Sequence, residues 1–398
     1  SAGWRFSEEP VFEPLKKWID NAKLRASWGK LGNNNIGDYE YQSLYGGQNY
    51  SFGGSIAQGI APTSLSNRAI TWEATTTSNI GLDLNLLNSK LSVSVDVFDK
   101  TTENILVKLP IPLVMGNLSA PNQNVARVRN RGLEGQVSYL GNIGKDFRYS
   151  IGGNISFIDN KVLKYLGAVK TISGTKVLTE GESIWPFYVR EVDHIVQDQA
   201  EIDKMIADGY TFSPAIPKPG DFLYKDIIPD KKINDDDRVI KGSTIPKATY
   251  GINISASYKG IDLNILGQGV SGLDYYDGGA YNTFNLHWDY IQRENVLNRW
   301  TPENKSTVYP RLTFGLANND VNSDYWLKNV SYFRIKSLQL GYALPKRITS
   351  KFLVDRLRLY TSLENYFTFT SYDGFDPENA GVTYPNMKQF IVGLNITF

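Results

Sequence analysis

The sequence predicts an all-β chain, an antiparallel wall of strands that crosses a membrane and carries long loops on one side. Three observations predict it. Apolar residues recur at every second position in stretch after stretch, the signature of strands with one oily and one polar face. The connections between these stretches alternate between short and long. No window holds 18 consecutive apolar residues, so a membrane would be crossed by strands and not by a helix.

The last stretch shows the pattern most clearly. Phe390, Val392, Leu394, Ile396 and Phe398 alternate with Gln389, Gly393, Asn395 and Thr397, and Ile391 breaks the alternation. An edge so apolar would aggregate in water. In a closed membrane barrel it faces lipid, and closure removes the edge. Ile80, Leu82, Leu84 and Leu86 repeat the pattern, and after a turn at 87–90 so do Leu91, Val93, Val95 and Val97. That is a hairpin. Further strands are read at 23–28, 130–140, 148–157, 248–258, 261–265, 333–342 and 356–367, with a bulge near Ser337 where the apolar set changes parity. A short helix is expected within 201–208 and a helical turn within 13–18. Residues 38–50 alternate weakly, and 51–71 read as loop. The total is about eleven strands. Long loops are expected at 110–125, 158–247, 271–331 and 369–387. Short turns on one side and long loops on the other are the layout of an outer-membrane barrel.

Composition narrows the functional classes. Lys and Arg number 42 against 41 Asp and Glu, so a net charge of +1 leaves no basic footprint for nucleic acid. There is no cysteine, which suits passage through an oxidising compartment. The amino-terminal residues do not form a signal peptide. An exported chain of this kind is expected to be a piece of a longer one.

No catalytic constellation stands out. His194 and His287 have no ligand spacing around them, and phosphate-binding, nucleophile-elbow and dinucleotide fingerprints are missing. The chain is therefore not expected to be an enzyme. One stretch, 226–237, has the spacing of a twelve-residue calcium loop, with Asp226, Asp230, Asn234 and Asp237 at oxygen-donor positions. Ile228 stands where a ligand belongs and Lys231 where glycine allows the turn, so a solvated acidic turn is the competing reading. Trp185, Tyr188, Tyr275, Tyr276, Trp288, Trp300 and Trp326 fall in the long loops. They are candidate stacking faces for sugar or peptide, against the alternative that they pack the loops together.

Several stretches together resemble one family. They are 3–9, Lys23–Gly29 with Gly32 and Asn33, Trp72–Glu73 with Ile80–Asp83, and Arg129–Glu134. Further along come Gly220–Asp226, Asp237–Arg238 with Pro246 and Tyr250–Gly251, Tyr258–Asp262, Leu338–Tyr342 and the terminal Phe398. In this order they are similar to the SusC/RagA-type TonB-dependent outer-membrane transporters. The resemblance implies a 22-stranded barrel plugged by an amino-terminal domain, of which this chain would be the carboxy-terminal half without the plug. It implies import of an oligosaccharide or peptide, driven through the TonB complex by way of the missing amino-terminal part. A SusD-like surface lipoprotein would cap the long loops, and pairs of transporter and lipoprotein could dimerise. Asp83, Asp96, Glu134 and Arg358 would line the lumen. The rival is a soluble or surface-anchored β-rich glycan-binding protein or adhesin, which would bury its apolar strand faces against each other.

Overall fold

The computed structural model describes residues 1–108, 111–116, 118–166, 170–284, 294–313, 318–381 and 384–398. Thirteen strands matter here: β1 (Ala2–Trp4), β2 (Ile19–Asn33), β3 (Tyr45–Phe52), β4 (Ser55–Pro62), β5 (Glu73–Leu86), β6 (Leu91–Lys108), β7 (Asn122–Ile143), β8 (Phe147–Tyr165), β9 (Ala248–Tyr258), β10 (Ile261–Ser271), β11 (Tyr332–Ala343), β12 (Arg356–Thr370) and β13 (Gln389–Thr397). All but β3 and β4 form one antiparallel sheet of 11 strands, hydrogen-bonded in chain order. The expected strand count and sheet type therefore hold.

The chain divides into two units. The first comprises Ser1–Ser138, Ser156–Lys170 and Thr179–Ser183, and the second Tyr139–Ile155, Thr171–Leu178 and Ile184–Phe398.

In the first unit, β5 and β6 pair with Ile80 opposite Val97 and Leu82 opposite Val95. Ile80 is 61% exposed and Val97 56%. In the second unit, Leu340, Leu359, Phe390, Val392, Leu394 and Ile396 are likewise exposed. A water-soluble chain does not show apolar rows of this extent. A lipid-facing one must. The rival reading needed these faces buried against each other, and they are not.

Aromatic rings bound the apolar band. Tyr250, Phe333 and Phe369 stack side by side at the loop ends of β9, β11 and β12, with centroids 6.0 and 6.3 Å apart. Tyr258 and Tyr342 stand exposed at the opposite ends. From Phe333 to Tyr342 is about 30 Å along the strand, or about 23 Å along the normal at a ~40° tilt, close to the ~25 Å apolar height of such walls.

The expected bulge is present. A register shift between Leu266 and Gly267 of β10 leaves Lys336 as the extra residue of β11 there, and against β12 a shift between Ile335 and Ser337 sets Lys336 alone against Asn365 and Tyr366. Ile391, the break in the last strand's alternation, pairs with Ser362 on the polar side.

Some boundaries differ. β7 begins at Asn122 rather than 130, β8 runs on to Tyr165, and the helical turn near 13–18 is a 3-10 helix over Pro10–Leu15. The strand extensions lie beyond the apolar band, where the outward positions turn polar or charged and apolar residues such as Ala126, Val128 and Val162 are buried. Residues 45–62 form a hairpin where weak alternation and loop were expected. Its register closes on Phe52 and Ser55 around Gly53 and Gly54, whose φ values are 58° and 82°. Two glycines in left-handed conformations make the tight turn that such hairpins need. The helix within the longest loop is Gln199–Ala207, capped by Asp198.

Candidate functional site: the polar face and the loop domain

On the polar face, the same device occurs once in each unit. Arg25, Gly81 and Asp96 stand opposite one another on β2, β5 and β6. Arg25 donates to Asp83 at 2.7 and 2.9 Å and to Asp96 at 2.8 Å. Asp262 on β10 stands opposite Gly341 on β11, and Arg358 on β12 stands opposite Ala343, two residues along, so that its side chain reaches back diagonally over Gly341. Arg358 Nε donates to Asp262 at 2.8 Å and one Nη to Gln339 at 2.9 Å. In both cases a Cβ on the middle glycine would strike the guanidinium. The glycine leaves a trough in which the arginine lies across a strand to reach its carboxylate. Asp83, Asp96 and Arg358 thus lie on the polar face as expected. Glu134 joins them there, within 3.4 Å of Ser156 Oγ.

In the second unit a further network binds the last loop to this face. Arg334 donates to Glu378 at 2.7 Å and to Asp376 at 2.8 Å, and Lys336 Nζ approaches Glu378 at 3.0 Å. Gln268 donates to Glu378, and the amides of Glu378 and Asn386 donate to Asp376. Burial by itself would raise the Asp376 carboxyl, but hydrogen bonds from Arg334 and the two amides hold it below its ordinary value. Sequence reading missed this group. The signal was available: Arg334 and Lys336 alternate with Phe333 and Ile335, which places cations on the polar side, and Asp376 and Glu378 are an acidic pair in the loop that follows.

The long loops have a core of their own. Gly220–Tyr224, one of the stretches that carried the family resemblance, runs through its centre. Phe222 is fully buried, its amide bonded to Asn319 Oδ1 at 2.8 Å, and Tyr224 donates to the carbonyl of Asn318. Asp221 takes two hydrogen bonds from Arg311, at 2.6 and 3.0 Å. Gly220 has φ +89°, and a Cβ there would meet the Trp300 ring. Trp326 is 1% exposed and meets Phe222, Tyr281 and Tyr325 edge to face.

This corrects part of the aromatic expectation. Trp300, Trp326 and Tyr188 are buried, so their rings pack the loops and offer no face to a ligand from solution. Tyr276 is half-buried with its hydroxyl bonded to Asn322, and burial pushes that hydroxyl up. Tyr275 meets Tyr372 edge to face and is half-buried, as is Trp185, which has a left-handed φ of 52°. Trp288, His287 and Tyr290 lie outside the described residues.

The four residues of the calcium expectation lie in one closed turn, the competing reading of this stretch. Asp237 accepts the amides of Ile227, Ile228 and Asn234 at 2.9–3.0 Å. Asp226 accepts that of Lys231, Asp230 that of Lys232, and Asn234 that of Asp236. The side chains turn onto the backbone of their own turn, and no three acidic or histidine side chains converge among the described residues. A calcium cage needs six to eight oxygens aimed at one point, whereas here at least one oxygen of each of these four side chains is taken by a backbone amide of the turn. His194, around which the sequence shows no ligand spacing, sits between Asp193 and Glu201 at 2.8 Å each. Burial lowers its pKa, but the two carboxylates outweigh burial and raise it.

Comparison with known proteins agrees with this geometry. Residues 2–183 match the family described as TonB dependent receptor-like, beta-barrel. Over 99% of its length the chain is 29% identical to TonB-dependent receptor P3 of Formosa agariphila, covering 41% of that protein. It is 26% identical over its full length to TonB-dependent receptor SusC of Bacteroides thetaiotaomicron, covering 39%. Among solved structures, that of the RagAB peptide transporter superposes on the whole chain with a TM-score of 0.82 and 25% identity, over 43% of the matched chain. The chain thus spans about two fifths of the length of these relatives.

Proposed function

The chain carries the β-barrel wall of a TonB-dependent receptor of the SusC/RagA type, and from that premise we propose that the protein to which it belongs imports an oligomeric nutrient, an oligosaccharide or peptide, across the outer membrane. One observation carries the reading. In the second unit, a strand array with a lipid-type apolar face and an ionic opposite face bears a loop domain that has its own buried core. Strands alone would suffice for a passive pore. A folded loop domain gives a rigid surface on which a lid can dock, and a SusD-like surface lipoprotein is the partner we assign to it. Chemical work is not asked of this chain. The energy would come from the inner membrane through TonB, and the wall would supply an ionic lining around the moving parts. The likeness to a peptide importer supports peptide, and oligosaccharide stays in the proposal on the family resemblance read from the sequence.

The test uses the full-length protein in its own membrane. A tag after Phe398 should recover it only in detergent, together with a lipoprotein of separate mass. Vesicle or whole-cell uptake of labelled peptides and oligosaccharides should fall at least tenfold when TonB is removed. Recovery without detergent, or uptake indifferent to TonB, would overturn the proposal.

A further inference from the structure

A groove of about 710 Å³ lies on the first unit, on the apolar side of the sheet. Eight of its lining residues are at outward positions on four neighbouring strands, in two rows. The lower row is Ile80, Val97, Leu133 and Phe157, and the upper row is Ser78, Asp99, Arg131 and Asp159. Ile80 is registered with Val97 and Ser78 with Asp99, so the apolar row ends at one level on β5 and β6, and the Arg131–Asp99 pair joins β7 to that level. Below it Val95 and Val137 continue the apolar face. Above it the outward positions of β7 are Arg129 and Arg127, those of β6 are Thr101 and Glu103, and that of β8 is Lys161.

The arginines are held ready. Arg131 Nε donates to Asp99 at 2.6 Å, and Arg127 Nε approaches Glu103 at 3.1 Å. Each pair uses one edge of the guanidinium, and the terminal nitrogens of both have no partner among the described residues. Arg129 Nε is buried with no hydrogen-bond partner. Three arginines recur at every second position of one strand, their backbones about 6.7 Å apart, above an apolar trough. Guanidinium forks match phosphate oxygens, and a trough lined by Ile, Val, Leu and Phe accepts acyl chains.

We infer that this groove is a binding site for a phosphate-bearing amphiphile of the outer leaflet, its acyl chain along Ile80, Val97, Leu133 and Phe157 and its phosphate on Arg131 and Arg129. The inference rests on the reading that the apolar face meets lipid and the long loops lie outside. The site differs from the lumen and the loop domain. It would fix the wall's depth in the membrane, because the headgroup can be met only at the level where the two rows join.

Full-length protein purified in neutral detergent provides the test. It is mixed with micelles of dimyristoylphosphatidylglycerol or of the uncharged dimyristoylglycerol, and bound lipid is counted by native mass spectrometry. Wild type should retain the phosphatidylglycerol at least tenfold better. The Arg129→Gln/Arg131→Gln variant should lose that preference while keeping the heat-dependent gel shift of a folded barrel. Val97→Trp, which fills the trough, should lower retention of both lipids. Inorganic phosphate at millimolar concentration should displace neither. An unchanged preference in the arginine variant, equal retention of the two lipids by wild type, or displacement by phosphate alone would each overturn the site. If the lipid-facing reading itself were at fault, the protein would come off membranes without detergent, a result separate from any of these.

Discussion

Gly341 shows how much a missing side chain can do. It lies between Asp262 and Arg358, and a Cβ there would come within 2.6–2.7 Å of Arg358 Nε and Cζ. Gly341→Val should therefore lift the guanidinium off Asp262 and cost about 1–3 kcal/mol, as overpacking does. Gly29 is the control, because a Cβ there would have nothing within 4 Å. Gly29→Val should be neutral or slightly stabilising, since valine suits a strand. Urea unfolding in micelles measures both, and equal losses would remove the special role of the trough. At the same scale, Asp376 couples the last loop to pH. Its folded carboxyl is held below the ordinary value, so it stabilises the folded state above an ordinary carboxylate pKa of about 4 and loses that contribution as pH falls through the folded value. The amides of Glu378 and Asn386 should be strongly protected from hydrogen exchange, relative to their intrinsic rates, at neutral pH, and should lose that protection below about pH 4. In Asp376→Asn that protection should be low throughout.

The elements divide by how plainly they could be read. The β5–β6 hairpin and the last strand were legible because lipid on one side and polar lumen on the other impose a strict period of two. The bulge at Lys336 was legible for the same reason, as a change of parity. Strand segments beyond the apolar band, such as 122–129 and 158–165, were not, because their outward positions are largely polar or charged and their few apolar residues, such as Val128 and Val162, are too scattered to set a period. The β3–β4 hairpin hid because its exposed apolar residues, among them Tyr45, Tyr50, Phe52, Ile56 and Ile60, are divided between both faces. Only Gly53–Gly54 marked it. Within the site, Asp83, Asp96 and Arg358 followed from parity alone, whereas the burial of Trp300 and Trp326 depends on contacts between residues about 100 apart in sequence, which no periodicity reports. The face assignment has a direct test. Val95 is outward near the middle of the apolar run, and Ser92 is inward, opposite Asn85. Val95→Arg should destabilise by about 2–4 kcal/mol, the cost of a cation near the midplane, while Ser92→Arg should cost less than about 1 kcal/mol. Reversible unfolding into lipid vesicles compares them, and equal effects would refute the assignment.

For the whole molecule, the separation between strand wall and loop domain is the feature on which function turns. The strands are held by a ladder of backbone hydrogen bonds that lipid makes obligatory, since no water competes for those groups. The loop domain lies outside that constraint. It is held by side-chain packing, as a small water-soluble domain is, around Trp326, Phe222 and Ile202, each with its side chain almost wholly buried. The two parts should therefore fail separately. Trp326→Ala removes the largest of these side chains, at a cost of about 3–5 kcal/mol. That loss should fall chiefly on the loop domain, because the Trp326 ring packs edge to face on Phe222, Tyr281 and Tyr325, and Phe222 lies with it in the buried loop core. The variant barrel should still insert and resist detergent, with protease cutting the loops near residues 200–240 at least tenfold faster than in wild type. If the loop domain is the surface on which a surface lipoprotein docks, the same variant should lose its partner on purification while Val95→Arg, where it folds, retains it. Retention of the partner by Trp326→Ala with its loops demonstrably open would move the docking surface elsewhere, to segments such as the β3–β4 hairpin, and would leave the barrel assignment intact.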